Sequence, residues 1–102
     1  MKLLIITAVA DFEKQIKVML KKSGVNTFSY KYVTGYRDQS ADAIETNWFA
    51  SEVNETESIL FYAFIDKNYV DSFFLLVDEF NQSQKTHSHI HLAVVNIEKS
   101  NS

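Results

Sequence analysis

The chain contains one short apolar run near its centre, Thr56–Asp66, with the sequence T-E-S-I-L-F-Y-A-F-I-D. Its length and its content of Ile, Phe and Tyr favour a β-strand over a buried helix. Because successive strand side chains point to opposite faces, the run divides into two apolar sets: Ile59, Phe61, Ala63 and Ile65, and Leu60, Tyr62 and Phe64. We expect helices of this chain to cover one face and another subunit to cover the other.

Three further segments have strand patterns. Lys2–Ala8 is apolar on both faces, which is typical of a central strand. Thr27–Tyr36 alternates more cleanly and is expected to be half exposed, with Gly35 ending it or forming a bulge. Ile90–Ile97 is the last predicted strand, and residues 98–102 form a polar tail.

Two segments have helical periodicity. Phe12–Ser23 is predicted to be a helix with Asp11 as its N-cap and Gly24 as its left-handed C-cap. The second helix begins after a cap at Asp66 or Asn68 and ends before a polar turn at Asn81–Thr86. Its apolar stripe consists of Val70, Phe73, Phe74, Val77 and Phe80.

The predicted order of elements is strand, helix, strand, strand, helix, strand. This order indicates an α+β fold of the ferredoxin-like βαββαβ type, with a four-stranded antiparallel sheet and two helices on one face. Right-handed crossovers place the first and third strands in the middle. We expect residues 1–102 to form one domain, and the apolar face left uncovered predicts a homo-oligomer.

Composition narrows the functional classes. A net charge of −3 and a pI of about 5.5 argue against a nucleic-acid-binding protein with a broad basic face. The absence of cysteine excludes disulfides, thiolate zinc sites and cysteine nucleophiles. The apolar N-terminal stretch is at the short limit for a signal peptide, and no stretch has the length of a membrane span. We expect a cytoplasmic protein without membrane insertion.

Arg37–Thr56 is a long polar connection without Gly or Pro. Loops of this length are usually functional. Trp48 and Phe49 lie in its middle, and exposing both rings would be costly. We therefore expect them to pack on their own subunit, on a neighbouring subunit or on a ligand.

The one local cluster of metal-ligating side chains is His87-Ser88-His89-Ile90-His91. On an extended chain the three imidazoles project to one side. They could bind zinc, copper or nickel, with symmetry completing the site. The alternative is that they are solvated or interfacial histidines near the start of a strand.

Catalytic motifs are absent from the sequence. The acidic residues are scattered, no serine lies in an elbow motif, and two glycines cannot form a phosphate-binding glycine-rich loop. We predict no catalytic residues and no enzymatic activity.

Several short motifs resemble the PII signalling proteins and the wider PII/CutA-like group. They are the initial Met1-Lys2-Leu3, the helix end Ser23-Gly24-Val25, the strand end Val33-Thr34-Gly35-Tyr36, and Gln39. The resemblance implies a homotrimer whose three sheets face inward. It also implies clefts between subunits that bind adenine nucleotides, and a long loop that docks on a transporter or an enzyme.

The chain departs from the PII pattern where that family binds ATP. Arg37 replaces the second loop glycine, Asn81–Thr86 replaces the glycine-rich phosphate loop, and Asn96 and Glu98 replace two arginines. The cofactor is therefore not predicted. Trp48 also resembles the Trp before the third strand of CutA, a trimeric divalent-ion-tolerance protein, which keeps a divalent metal as an alternative.

The leading hypothesis is a non-enzymatic PII-like regulator. Its ligand site would comprise Gly35, Tyr36, Arg37 and Gln39, and residues 37–56, with Trp48 and Phe49, would contact the partner. One alternative is a CutA-like protein that binds divalent metal through His87, His89 and His91. Another is a small monooxygenase-like dimeric enzyme of the same ferredoxin-like topology.

Overall fold

The structure is a computed structural model that describes residues 1–37 and 54–101. The described residues form four strands and two α-helices in the predicted order. Each α-helix is preceded by a 3-10 turn, Ala10–Phe12 and Lys67–Tyr69. The elements are β1 (Lys2–Val9), α1 (Glu13–Lys22), β2 (Ser29–Arg37), β3 (Asn54–Ile65), α2 (Val70–Ser83) and β4 (His91–Asn96).

The strands form one antiparallel sheet in the order β2-β3-β1-β4. The two central strands are β1 and β3, as their two-sided apolar patterns predicted. Ile6 of β1 lies between Phe61 of β3 and Leu92 of β4. This arrangement confirms the ferredoxin-like βαββαβ fold.

The helices cover one face of the sheet. Ile16 and Leu20 of α1 and Phe73 and Val77 of α2 are buried against it. The predicted division of β3 is confirmed, since its helix-facing side chains are all buried: Ile59, Phe61, Ala63 and Ile65.

The opposite face of the sheet is open and apolar. Tyr62 and Phe64 of β3 are 44% and 58% exposed, and Val95 of β4 is 43% exposed. Leu3 of β1 lies between Phe64 and Val95 in the register, so the apolar surface continues across three strands. We refer to this surface as the open face.

Two of the predicted helix caps are confirmed and one is wrong. Gly24 has φ +90°, and the neighbouring backbone N–H of Val25 donates to the Leu20 carbonyl at 2.9 Å. Asp66 accepts from the Asn68 N–H at 2.9 Å and so caps the 3-10 turn that leads into α2, whose own N-cap position is Tyr69. Asp11 is not an N-cap, because it lies inside the 3-10 turn, whose N-cap is Val9.

Element boundaries also differ from the predictions. α2 continues through Ser83, so Asn81 is helical and does not open a polar turn. β2 runs in register to Arg37, so Gly35 neither ends the strand nor forms a bulge. β2 includes Arg37 and β3 begins at Asn54, so the predicted 37–56 connection is shorter at both ends. Within the described residues, no helix has the length and apolar character needed to span a membrane.

Candidate functional site

An open groove of about 560 Å³ lies at one end of the open face. The C-terminal part of β1, the C-terminal part of β2 and the N-terminal part of β3 form its floor, and the segment before β4 forms its wall. Its lining consists of Thr7, Ala8, Val9, Val33, Gly35, Tyr36, Thr56, Ser58, His87, Ser88, His89 and His91. We call it the histidine groove.

Strand register explains why these residues meet. Directly paired residues of antiparallel strands share a face. His91 pairs with Thr7, and Val9 of the same strand pairs with Ser58. Ser58 in turn pairs with Val33, which places residues from all four strands on one surface.

Two hydroxyls of β3 lie close to the position that a side chain at Gly35 would occupy. Gly35 pairs with Thr56, and a Cβ built at Gly35 would lie 2.6 Å from Ser58 Oγ and 3.1 Å from Thr56 Oγ1. The first distance is shorter than any ordinary contact of a Cβ atom. Because Gly35 has no side chain, the hydroxyls of Ser58 and Thr56 can occupy their positions in the groove.

The wall of the groove is held by the end of α2. Asn81 Nδ2 donates to the Ile90 carbonyl at 2.9 Å, and the Ile90 N–H donates to Asn81 Oδ1 at 2.8 Å. Ile90 itself is buried in the core. The backbone between His89 and His91 is therefore anchored to α2 where the chain enters β4.

The three histidines lie in the groove with their side chains exposed. Alternation is as predicted from Ile90 onward, since Ile90 is buried and Leu92 and Val94 pack against the core. In the part of the chain that the structure describes, no group of three or more His, Asp or Glu residues is arranged to hold a metal ion. The geometry therefore adds no support to the metal hypothesis.

The two sets of predicted site residues share one location. Gly35 and Tyr36, predicted for a ligand, line the same groove as the histidines, which were predicted separately for a metal. Arg37 is the last residue of β2, next to them along the chain. Gln39, Trp48 and Phe49 lie outside the described residues.

A polar cluster between α1 and β2, on the helix-covered side of the sheet, was not predicted. Lys17 Nζ donates to Glu13 Oε2 at 2.6 Å and to the Tyr30 hydroxyl at 3.0 Å, and lies 4.2 Å from the Tyr30 ring centroid. The Tyr32 hydroxyl donates to Glu13 Oε1. The sequence signals were the i,i+4 spacing of Glu13 and Lys17 and the alternation of the two tyrosines.

These contacts shift the ionisation of the cluster. Hydrogen bonds from Lys17 and then Tyr32 hold the pKa of Glu13 below its ordinary value. The bond to Glu13, with a smaller contribution from Tyr30, raises the pKa of Lys17. Donation to Glu13 raises the pKa of the Tyr32 hydroxyl. All these groups are solvent-accessible, so the cluster fastens α1 to β2 and does not form an enclosed reactive site.

Comparisons with models of protein families and with curated proteins find no match. Solved structures do match. B. subtilis GlnK superposes with a TM-score of 0.72 at 19% identity, over 95% of this chain and 84% of that one. The B. subtilis GlnK–ATP complex gives 0.66 at 18% identity, over 92% and 80%.

A third similar structure is CPII from Thiomonas intermedia K12, described as a nitrogen regulatory PII-like protein bound to ADP, AMP and bicarbonate. It superposes with a TM-score of 0.63 at 11% identity, over 97% of this chain and 93% of that one. At these identities the likeness concerns the fold. The chain has the PII-like form of the ferredoxin-like fold.

Proposed function

We propose that this chain is a non-enzymatic PII-like regulatory protein. It assembles through its open face into a homotrimer, binds a small-molecule effector at the histidine groove, and controls a partner protein through residues 37–56. The observation that carries the proposal is the position of the groove at the end of the open face. A neighbouring subunit that covers this face would also close the groove, so assembly and ligand binding would be coupled.

The open face supports the proposed assembly. Tyr62, Phe64 and Val95 are large apolar residues that remain accessible in the isolated chain. Contiguous apolar patches of this kind usually mark interaction surfaces. A closed symmetric oligomer buries such a surface without leaving a copy of it exposed.

The candidate effectors come from the structural neighbours. One neighbour is bound to ATP, and another to ADP, AMP and bicarbonate. In this chain Gly35 and Tyr36 line the groove, and Arg37 and Gln39 follow them along the sequence toward the proposed partner loop. This continuity gives a route by which a bound effector would act on residues 37–56.

The proposed partner contact is made by Trp48 and Phe49, and the partner is a transporter or an enzyme in the cytoplasm. Aromatic residues commonly anchor protein interfaces, because they bury a large area with few rotatable bonds. The proposal assigns no catalytic residue. It places the histidines in the effector groove, without a metal-tolerance function.

The test combines light scattering with ligand binding. We expect a trimer, a rise in melting temperature with at least one of ATP, ADP, AMP or bicarbonate, and slower hydrogen exchange of amides in residues 37–56 when that ligand is bound. The variant Trp48→Ala should retain the melting shift and lose partner binding. A monomer that shows no shift with any of these ligands would refute the proposal.

A further inference from the structure

The side of the two helices that is turned away from the sheet has an exposed apolar residue on each helix. Val18 of α1 is 52% exposed and Leu75 of α2 is 62% exposed. A shallow groove of about 340 Å³ lies beside Val18, with Met19 and Phe80 among its lining residues. We call this side the helix surface, and its defining exposed residues are Lys14, Val18 and Lys22 of α1 and Asp71, Leu75 and Glu79 of α2.

The two helices carry opposite charge. α1 has four lysines and one glutamate, whereas α2 has three acidic residues and no basic one. Within the part of the chain that the structure describes, none of Lys14, Lys22, Asp71 and Glu79 forms a hydrogen bond or an ion pair through its side chain. The helix dipole favours Lys22 and Asp71 at their helix ends, but Lys14 lies in the first turn of α1, where a cation is disfavoured. The charges of the helix surface are therefore available to a second molecule.

The spacing of charged and apolar residues on the helix surface is the same on both helices. On α1, Lys14 lies four residues before Val18 and Lys22 lies four residues after it. On α2, acidic residues lie four residues before and four residues after Leu75. Residues four apart share one face of a helix and are separated by about 6 Å along its axis. Each helix therefore presents a charge, an apolar side chain and a second charge at equal intervals, positive on α1 and negative on α2.

The directions of the helices allow a second copy of the chain to use this match. α1 connects the end of β1 to the start of β2, which is parallel to β1, so α1 runs back along β1. α2 runs back along β3 for the same reason, and the two helices are antiparallel because β1 and β3 are. A twofold axis parallel to the helices, between two stacked helix surfaces, sets α1 of each copy antiparallel on α2 of the other. Contact between Val18 and Leu75 of the second copy then places each lysine beside an acidic residue.

We infer that the helix surface is an interface with a second copy of this chain, in which α1 of each copy packs on α2 of the other. Lys14 meets Glu79 of the second copy, Lys22 meets Asp71, and the twofold axis makes each contact occur twice. The inference goes beyond the proposed function, because it uses neither the open face nor the histidine groove. Each proposed trimer carries three helix surfaces, so this pairing links trimers into larger assemblies.

The pairing is weak and depends on salt. Exposed ion pairs contribute little one at a time, and dissolved salt screens them. The test is sedimentation velocity of the full chain over a range of protein concentrations, at about 50 mM and about 500 mM sodium chloride, which bracket weak and strong screening. We expect particles that grow with protein concentration at low salt and that separate into single trimers at high salt. Leu75→Glu should keep the trimers separate at low salt as well, and each trimer should stay intact.

Two charge-reversed variants and their mixture test the pairing of α1 with α2. Lys14→Glu/Lys22→Glu puts negative charges beside the apolar residue of both helices, and Asp71→Lys/Glu79→Lys puts positive charges there. Each variant alone should lose self-association by about tenfold or more, because like charges then face each other. An equimolar mixture of the two variants should associate at low salt, because every negative helix of one variant meets a positive helix of the other.

The control for net charge is Lys85→Glu/Lys99→Glu. Both lysines are exposed and lie outside the helices. This variant has the same net charge as Lys14→Glu/Lys22→Glu and should keep the self-association of the wild type. Circular dichroism of each variant confirms that it is folded.

The outcomes separate this inference from the proposed function. Wild-type particles whose size depends on neither salt nor concentration would overturn the helix-surface pairing and leave the regulatory proposal in place. Charge-reversed variants that associate as the wild type does, or a mixture that fails to associate, would also overturn it. Salt-dependent pairing by a chain that is monomeric at high salt would support the helix-surface pairing and refute the trimeric regulator.

Discussion

The carboxamide of Asn81 hydrogen-bonds both backbone groups of Ile90, at 2.9 Å to the carbonyl oxygen and 2.8 Å from the N–H. Ile90 is buried and lies just before the first β4 residue that pairs with β1. The Asn81 side chain satisfies the backbone groups of Ile90, as a neighbouring strand does for the later residues of β4. It joins the end of α2 to the wall of the histidine groove. The side chain of Asn81 therefore serves stability and the shape of the groove together.

Replacing Asn81 with Ala should destabilise the chain. Two hydrogen bonds are lost and the partly buried backbone groups of Ile90 are left without protein partners, which costs about 1–3 kcal/mol. Urea unfolding of Asn81→Ala against the wild type measures the change. Gln82→Ala, at an exposed neighbouring position of the same helix, should cost much less. Equal losses in the two variants would show that the pairing with Ile90 contributes nothing specific.

Gly35 and Ser58 should be coupled energetically. Gly35→Ala places a methyl group 2.6 Å from Ser58 Oγ and should destabilise the chain by about 1–3 kcal/mol, as overpacking does. Ser58→Ala removes that oxygen, so the double variant should recover much of the loss. A double-mutant cycle measured by chemical denaturation gives the coupling. The same cost for Gly35→Ala in both backgrounds would contradict the close approach.

The fold could be predicted because its signals are local. The apolar run of β3 fixes which side chains face the helices, and the two-sided patterns of β1 and β3 identify the central strands. Gly24 was recognisable as a C-cap for the same reason, since a left-handed residue after a helix favours glycine. These features depend on spacing along a single segment, and the sequence displays spacing directly.

The site was predicted only in pieces. α2 continues into the predicted turn, and the pairing of Asn81 with Ile90 spans residues that no local pattern connects. The sequence around Gly35 predicts a strand end or a bulge. Only the neighbouring strand shows that the Ser58 hydroxyl lies where a side chain of Gly35 would be. His91 and Gly35 line one groove only because the register of four strands places them at the same end of the sheet. The sequence therefore showed two candidate sites where the fold makes one groove.

The cluster of Glu13, Lys17 and Tyr32 predicts a pH-dependent contribution to stability. The folded pKa of Glu13 is lowered from 4.5 by Lys17, so its contribution is present above pH 4.5 and is lost as the pH falls through the lowered value. The folded pKa of Tyr32 is raised from 10.0 by Glu13, so its contribution is present below pH 10.0 and is lost as the pH rises through the raised value.

Melting curves of the wild type and Glu13→Gln over a range of pH test this dependence. The melting temperature of the variant should be lower between pH 4.5 and 10.0, and the difference should shrink under more acidic conditions. Glu79→Gln removes one negative charge from an exposed position of α2 and controls for net charge. A difference that stays constant down to strongly acidic pH would show that the carboxylate of Glu13 is not the source. Alkaline titration of tyrosinate absorbance should lose its latest component in Tyr32→Phe.

The open face predicts that a single charge will dissociate the assembly. Phe64 is 58% exposed and lies in one row with Leu3 and Val95, near the centre of the surface that the proposed trimer buries. Phe64→Glu would place a carboxylate in that interface, and an unpaired buried charge costs several kcal/mol or prevents association. Light scattering should therefore show a folded monomer in place of the trimer.

Leu75→Glu is the matched control for this substitution. Leu75 is 62% exposed, carries a similar apolar side chain, and lies on α2, on the opposite side of the sheet from the open face. Its replacement should leave the oligomer intact. Dissociation by Leu75→Glu but not by Phe64→Glu would place the subunit contact on the helices. In that arrangement a neighbouring subunit could not close the histidine groove, and the proposed coupling between assembly and effector binding would be lost with it.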